Sequence, residues 1–438
     1  MTRVLVALLL LSVSVSAQHR FSLEEAQAHG LEHNTEVKNA RLDVQLAKKQ
    51  VMETVAIGLP HISAEAQWQN FLEIPTTVMP ANMLNPAAPA DSMLEMQFGT
   101  EQNASATLTA SQLLFDGTYI VGLKASRVFK KFSEKAMHLT ERQIQDSIAV
   151  AYFNVLLTES NKEFFATLVD VHEHILEEIQ ARYEMGFVED IDVDRMALVL
   201  SNMQTQSDNI NRIAAVSQLY LKLILGIPLS EELELTDSLS GILSQSKAFS
   251  LEQPNIQNRL EYQLAETQVK LSKLDLRRYQ SAWLPSIAAF GTYSENAMRN
   301  EFSFTEDGNW YPTKMVGVKA TLNIFDGFSG TAKIQQARIK LEKAKNSQYN
   351  VEQSLLLDYE ASRGSYLTAI STEAQTETNL VLAEKIYEKT LAKYKEGLVS
   401  SSELAQAGAD FMQAHTEYAS SIKELLLAEI KYQRTLGN

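Results

Sequence analysis

Cysteine is absent from the 438 residues, which excludes disulfides, thiolate metal sites and a cysteine nucleophile. Positive charge is scarce: 39 Lys and Arg stand against 54 Asp and Glu, a formal net charge of −15. That balance argues against a nucleic-acid partner, and acids lining a cavity would favour cations. Proline is sparse, 9 residues in the whole chain, so long stretches hold nothing that ends a helix. Long apolar runs are missing too. Beyond the N-terminal segment no stretch of about 18 apolar residues occurs. Any membrane-spanning part must therefore be made of β-strands.

The N-terminus has its own signature. Arg3 precedes an apolar run over 4–15, and Val15-Ser16-Ala17 fits a small-residue cleavage pattern ahead of Gln18. Residues 1–17 read as a signal peptide without a lipobox cysteine, against the alternative of a buried N-terminal strand. The expected protein is exported and is not a lipoprotein.

Past this point the hydrophobic period alternates between two values. Residues 21–58 have a helical pattern, opened by a capping box at Ser22 and Glu25 and stopped at Gly58-Leu59-Pro60. Strict alternation follows over 61–70 and again over 103–114, each about the length of a tilted membrane strand. Between them Pro75, Pro80, Pro86 and Pro89 mark an irregular surface loop. Phe115-Asp116-Gly117 then opens a helical pattern that runs to Met185, roughly 100 Å at about 1.5 Å per residue. Tyr183-Glu184-Met185-Gly186-Phe187-Val188 interrupts it once. A shorter helix over about 192–225 stops at Gly226-Ile227-Pro228, and 229–254 reads as an irregular linker with a short helix.

The plan then repeats. A helix over about 255–283 ends at Leu284-Pro285, as the first ended at Leu59-Pro60. Strands are expected over 286–294 and 314–325. Phe325-Asp326-Gly327 repeats Phe115-Asp116-Gly117 at an offset of 210 (325 − 115). Tyr394-Lys395-Glu396-Gly397-Leu398-Val399 repeats the first turn at an offset of 211 (394 − 183), as Leu436-Gly437 repeats Leu225-Gly226 (436 − 225). Near-constant offsets over three landmarks indicate internal duplication. The expected division is a signal peptide over 1–17, a first repeat over 18–229, an equatorial linker over 230–254 and a second repeat over 255–438.

Helix lengths constrain the assembly. Two short helices of each half together nearly match its long one, so each half is expected to form a two-column hairpin closed at the Tyr-x-x-Gly turn. Four strands cannot close a barrel, and an open strand edge is not tolerated in lipid. Closure needs more copies. Three would supply twelve strands, wide enough for a lumen, and twelve helical columns to match. The expected fold is an α+β membrane protein: a homotrimer with a 12-stranded β-barrel continuous with a 12-column α-helical barrel.

This plan resembles the TolC-like outer membrane efflux protein family. The resemblance rests on the duplicated helix–strand–strand–helix–turn–helix order, the Phe-Asp-Gly and Leu-Pro junctions and the Gly-apolar-Val turns, and it covers the mature chain almost end to end. It implies an exit duct in the outer membrane with a helical tunnel in the periplasm. Its partners would be a periplasmic adaptor (a membrane fusion protein) and an inner-membrane pump of RND or ABC type, the latter including type I protein secretion. No cofactor is implied.

The resemblance also assigns sites. In the family the tunnel closes at the turn end, partly through an acid six residues after the second turn glycine, here Glu403. Gln406 stands where some members carry a second acid, and Asp192 is the equivalent acid of the first hairpin. Tyr394 matches the aromatic of the closing lock, whereas Val399 stands where some members have arginine. Acids at helix starts are also favoured simply by capping and the helix dipole. Gly186, Phe187 and Val188, with Gly397, Leu398 and Val399, form the expected adaptor-docking turns. Pro60, Phe115, Asp116, Gly117, Pro285, Phe325, Asp326 and Gly327 form the strand–helix junctions.

Other chemistries find little support. The acidic run 189–194 fails as a calcium loop, because Arg195 stands where glycine is needed and Ser201 where the bidentate Glu belongs. His29 with His33, and His172 with His174, have no obvious third ligand, so no metal site is expected. No phosphate-binding glycine loop or nucleophile elbow occurs, so no enzyme is expected. A periplasmic coiled-coil scaffold remains as the alternative; it would extract into buffer, whereas a channel would need detergent.

Overall fold

The computed structural model describes residues 19–84, 89, 91–246, 252–304 and 308–437. The expected signal peptide and Pro86 lie outside these residues. In chain order the elements are β1 (His19–Phe21), α1 (Leu23–His33), α2 (Thr35–Ala56), β2 (His61–Asn70), β3 (Thr76–Pro80), β4 (Met93–Gln97), β5 (Gln102–Phe115), α3 (Gly117–Glu184) and α4 (Asp190–Leu225). There follow β6 (Leu233–Leu235), α5 (Leu239–Ser246), α6 (Leu260–Ser281), β7 (Ser286–Arg299), β8 (Tyr311–Thr321), α7 (Ser329–Lys395) and α8 (Ser401–Leu436). The long helices match in length, 68 and 67 residues for α3 and α7, as do the short ones, 36 each for α4 and α8. No described helix is long and apolar enough to cross a membrane.

The chain forms two compact units, each built from several segments. The sheet unit comprises 46–131 and 268–345. Its main sheet has four antiparallel strands in the order β2-β5-β7-β8, leaving β2 and β8 as open edges. Along β5 the side chains alternate. Ala106, Leu108 and Ala110 are exposed, while Thr107, Thr109 and Ser111 are half-buried on the other face, where Thr107 Oγ1 donates to Ser294 Oγ at 3.0 Å. One face is therefore apolar and bare, the other polar.

The junction motifs have a local cause. Asp116 Oδ1 accepts from the Tyr119 N–H at 2.8 Å, and Asp326 Oδ2 from the Gly330 N–H at 2.6 Å. In both halves the aspartate of Phe-Asp-Gly thus satisfies an amide at the start of the long helix. Gly117 is required by close approach, since a Cβ there would meet the Ser281 carbonyl oxygen at 2.8 Å. In the second half Gly327 and Phe328 both take positive φ, 65° and 67°.

The helical unit comprises 19–45, 132–267 and 346–437 of the described chain. Three apolar clusters hold it together. One centres on Ile148, Tyr152, Leu221 and Leu225, one on Ile179, Met196, Met203 and Leu404, and one on Tyr366, Tyr432 and Leu436. Side chains buried this fully contribute about 1.5–3 kcal/mol each. The same unit carries β1, which pairs in parallel with β6.

Several expected boundaries differ. The helix expected over 21–58 breaks at Asn34, whose backbone is extended (φ −60°, ψ 135°). Asn34 Oδ1 accepts from the Glu36 and Val37 N–H groups and starts α2, while its Nδ2 donates to the Ile224 carbonyl at 2.7 Å. A tertiary partner decides the break, which helical periodicity does not show. The loop expected between β2 and β5 carries the β3–β4 ribbon, and the linker supplies β6 as well as α5. β7 runs five residues past 294, and β8 ends at Thr321, short of Phe325.

Candidate functional site: the paired turns

Both turns are built the same way. The Gly186 N–H donates to the Tyr183 carbonyl at 2.8 Å and the Phe187 N–H to the Arg182 carbonyl at 2.9 Å. The Gly397 N–H donates to Tyr394 at 2.9 Å and the Leu398 N–H to Lys393 at 2.9 Å. This double bond pattern is a Schellman cap, which needs a left-handed residue at its first position past the helix. Gly186 and Gly397 supply it with φ +79° and +75°.

The four apolar turn residues divide in two. Phe187 and Leu398 are 76% and 73% exposed. Val188 and Val399 pack against the cluster of Ile179, Met196 and Leu404. One large apolar side chain per turn is therefore presented outward, and one valine anchors each turn from beneath.

The expected gate residues do not form one group. Asp192, in the first turn of α4, accepts from the buried Ser401 hydroxyl at the start of α8. Arg195 Nη1 donates to Ser401 Oγ at 2.7 Å and lies 3.8 Å from Asp192 Oδ1. Tyr394 is buried within the same apolar cluster. Burial pushes its phenol up; the carboxylates of Asp192 and Glu178 add to this and Arg182 opposes it. Glu403 and Gln406 are exposed. The Glu403 N–H donates to Ser400 Oγ at 3.2 Å, and Gln406 Nε2 donates to Asp410 Oδ1 at 2.7 Å. Glu403 thus occupies a helix-start position with its amide capped and its carboxylate in solvent.

Three residues here escape sequence reasoning. Arg195 and Ser401 complete the cluster on Asp192, and Arg182 ties the ends of α3 and α7 by donating from Nη2 to the Lys395 carbonyl at 2.9 Å. The Asp192-x-x-Arg195 spacing is a helical i,i+3 pair and offered a signal. Ser401 offered none, because its partner lies 209 residues away.

In the sheet unit, the junctions line a cavity of about 720 Å³ that includes Asp116, Tyr119, Tyr279, Trp283, Asp326 and Lys333. Among the described residues no three His, Asp or Glu side chains converge as a metal-holding group. The sheet unit presents an apolar face and unpaired edges, and the helical unit carries the paired turns.

Several known proteins resemble this chain. The sequence profile described as outer membrane efflux protein matches residues 253–438. The outer membrane protein TolC of Vibrio cholerae is 19% identical over 343 residues, covering 76% of each chain. The fold matches the solved structure of CusC with a TM-score of 0.76 at 15% identity, over 95% of this chain and 92% of that one. It matches VceC of Vibrio cholerae with 0.70 at 14% identity, over 95% and 96%. The open-state MtrE channel of Neisseria gonorrhoeae matches with 0.72 at 16% identity, over 95% and 89%.

Proposed function

We propose that the chain belongs to the TolC-like outer membrane efflux protein family, which its match over 253–438 and its likeness to TolC support, and that three copies form an exit duct through which a partner pump drives solutes out of the cell. The observation that carries this is the four-stranded sheet with open edges at β2 and β8. Pairing β8 of each copy with β2 of the next removes every edge and yields a closed barrel of twelve strands. The bare Ala106, Leu108 and Ala110 face then meets lipid, and the Thr107, Thr109 and Ser111 face lines the lumen. The helical unit stands in the periplasm, and no bond is made or broken in transport.

The paired turns are the periplasmic end. Phe187 and Leu398 support adaptor docking, since they are large, apolar and solvent-facing on a rigid capped turn. Asp192, Ser401 and Arg195 support a clasp between α4 and α8 that sets how far the tunnel closes. Tyr394 serves it from the apolar side, and Glu403 with Gln406 lines the mouth. The partners are a periplasmic adaptor and an inner-membrane pump of RND or ABC type.

Two measurements test the reading. The detergent-solubilised protein should run as a trimer and conduct ions in a planar bilayer; a monomer extracted by buffer alone would sink it. A photo-crosslinker placed at Phe187 or Leu398 in cells should capture a periplasmic adaptor, and capture restricted to control positions on α7 would remove the turns from docking.

A further inference from the structure

The helical unit holds a charged pocket that the duct reading does not use. Arg259, immediately ahead of α6, is 4% exposed. Its Nε and Nη2 donate to Glu261 at 3.1 Å each, yet Nη1 is buried without a hydrogen-bond partner. A buried donor of a charged group left open is uncommon. Arg259 lines a cavity of about 70 Å³ together with Arg142, Arg434, Asn258 and Leu260 at the amino end of α6. Arg434 also walls a second cavity of about 390 Å³ that reaches Asp146 and Tyr220.

The charges do not cancel. Burial alone would push the Glu261 carboxyl up, but the hydrogen bonds and charge of Arg259, with a further bond from Arg434, hold it down at about 2. Glu261 is thus ionised and committed to two guanidiniums, with Arg434 Nη2 donating to it at 3.1 Å. The other acid, Asp146, stands 4.0 Å from Arg142 Nε, too far for a hydrogen bond. Its Oδ2 is buried and unpartnered, and burial pushes its carboxyl up. Three guanidiniums therefore face two carboxylates, of which only one is fully engaged.

We propose that this pocket binds a small oxyanion, held by Arg259 Nη1, by the charges of Arg142 and Arg434 and by the positive end of α6. A buried guanidinium N–H and a helix amino terminus are both strong donors to such an anion. At about 70 Å³ the cavity exceeds the roughly 10–15 Å³ of such space that one water needs, which leaves room for a small anion and not for a nucleotide. The site lies apart from the paired turns and stands or falls independently of adaptor docking.

Inorganic phosphate is the probe. The full-length trimer in detergent, exchanged into phosphate-free buffer, is titrated by calorimetry, with phosphorus NMR line-broadening as a second readout. Wild type should bind saturably. Arg142→Gln, at a half-exposed position that leaves the Arg259–Glu261 pair intact, should bind about tenfold more weakly or worse, the loss of one charge-assisted contact. Arg259→Met should abolish binding; if it fails to fold by circular dichroism, Arg142→Gln decides. Arg20→Gln removes a surface charge paired with Glu234 and should leave affinity unchanged. Absence of saturable binding by wild type up to about 10 mM, a range in which only very weak affinity goes undetected, overturns the site. So does equal weakening in Arg20→Gln and Arg142→Gln, which would mean diffuse attraction by surface charge.

Discussion

At Gly186 and Gly397 the chain makes the same left-handed step with the same two cap hydrogen bonds, yet the helices that follow start differently. Ser400 caps α8 by accepting from the Glu403 N–H, whereas Glu189, at the corresponding position of α4, makes no side-chain cap. The first turn shows solvent Phe187, flanked by exposed Tyr183 and Met185; the second shows Leu398 after Lys395 and Glu396. The two turns share what the backbone requires and differ in the side chains they show to solvent. The first hairpin has the larger apolar tip, and the second has the better-fastened helix.

The largest test acts on both hairpins through histidine. His172 on α3 is buried, with Nδ1 at 2.9 Å from the Leu168 carbonyl and Nε2 unpartnered. His415 on α8 stacks on Phe164 at 3.5 Å between ring centroids. Burial pushes both down from the ordinary 6.5, His415 to about 4. A depressed histidine takes up its proton more readily unfolded than folded. The stability these two histidines contribute is therefore complete above pH 6.5 and falls as pH drops from 6.5, for His415 toward 4. The His415 share is on the order of 3 kcal/mol over that window, at about 1.36 kcal/mol per pKa unit. Urea melts of the helical signal at pH 7 and pH 5 should show it, and His415→Phe should flatten most of the slope. A slope unchanged in that variant would place the acid sensitivity elsewhere.

Next come the turn glycines. A Cβ at Gly186 or Gly397 would meet nothing within 4 Å, so the cost of substitution is torsional. Gly186→Val and Gly397→Val should each lose roughly 1–2 kcal/mol, and the two losses should agree. Hydrogen exchange at the turn amides measures this locally. Unequal losses would show that the shared backbone conceals different strain.

How much of this was legible beforehand follows from the range of the interactions. The two turns, the junction aspartates and the duplicated lengths are recorded locally, in glycine positions, capping residues and hydrophobic period. The break at Asn34 was not, because Asn34 Nδ2 is held by the Ile224 carbonyl, 190 residues away. The cluster on Asp192 was half legible: Arg195 lies one helical turn away, but Ser401 arrives from the other hairpin. Burial likewise separated Val188 from Phe187 and Val399 from Leu398, which the turn motif treats alike.

The caps come third. Ser400→Ala should cost about 1 kcal/mol, the usual value of an N-cap hydroxyl. Glu189→Ser should gain a smaller amount by supplying the cap that α4 lacks. The pair of measurements sharpens the difference between the hairpins: loss on one side, gain on the other, both read from exchange in the first turn of each helix.

The smallest effect is expected at Glu403. Its carboxylate is solvent-exposed and makes no close ion pair among the described residues, so its field is screened within about 10 Å at ordinary salt. Asp192 is instead engaged with Ser401 and Arg195, so its charge is partly neutralised where it stands. Three copies of Glu403 around a narrow mouth would still add negative potential. Glu403→Ala should therefore reduce cation preference in planar-bilayer conductance modestly and leave the fold untouched, while Asp192→Asn should alter opening more than selectivity. If Glu403→Ala changes neither conductance nor selectivity, the acid is only a helix-start residue, and the proposed closing role rests on Asp192 alone.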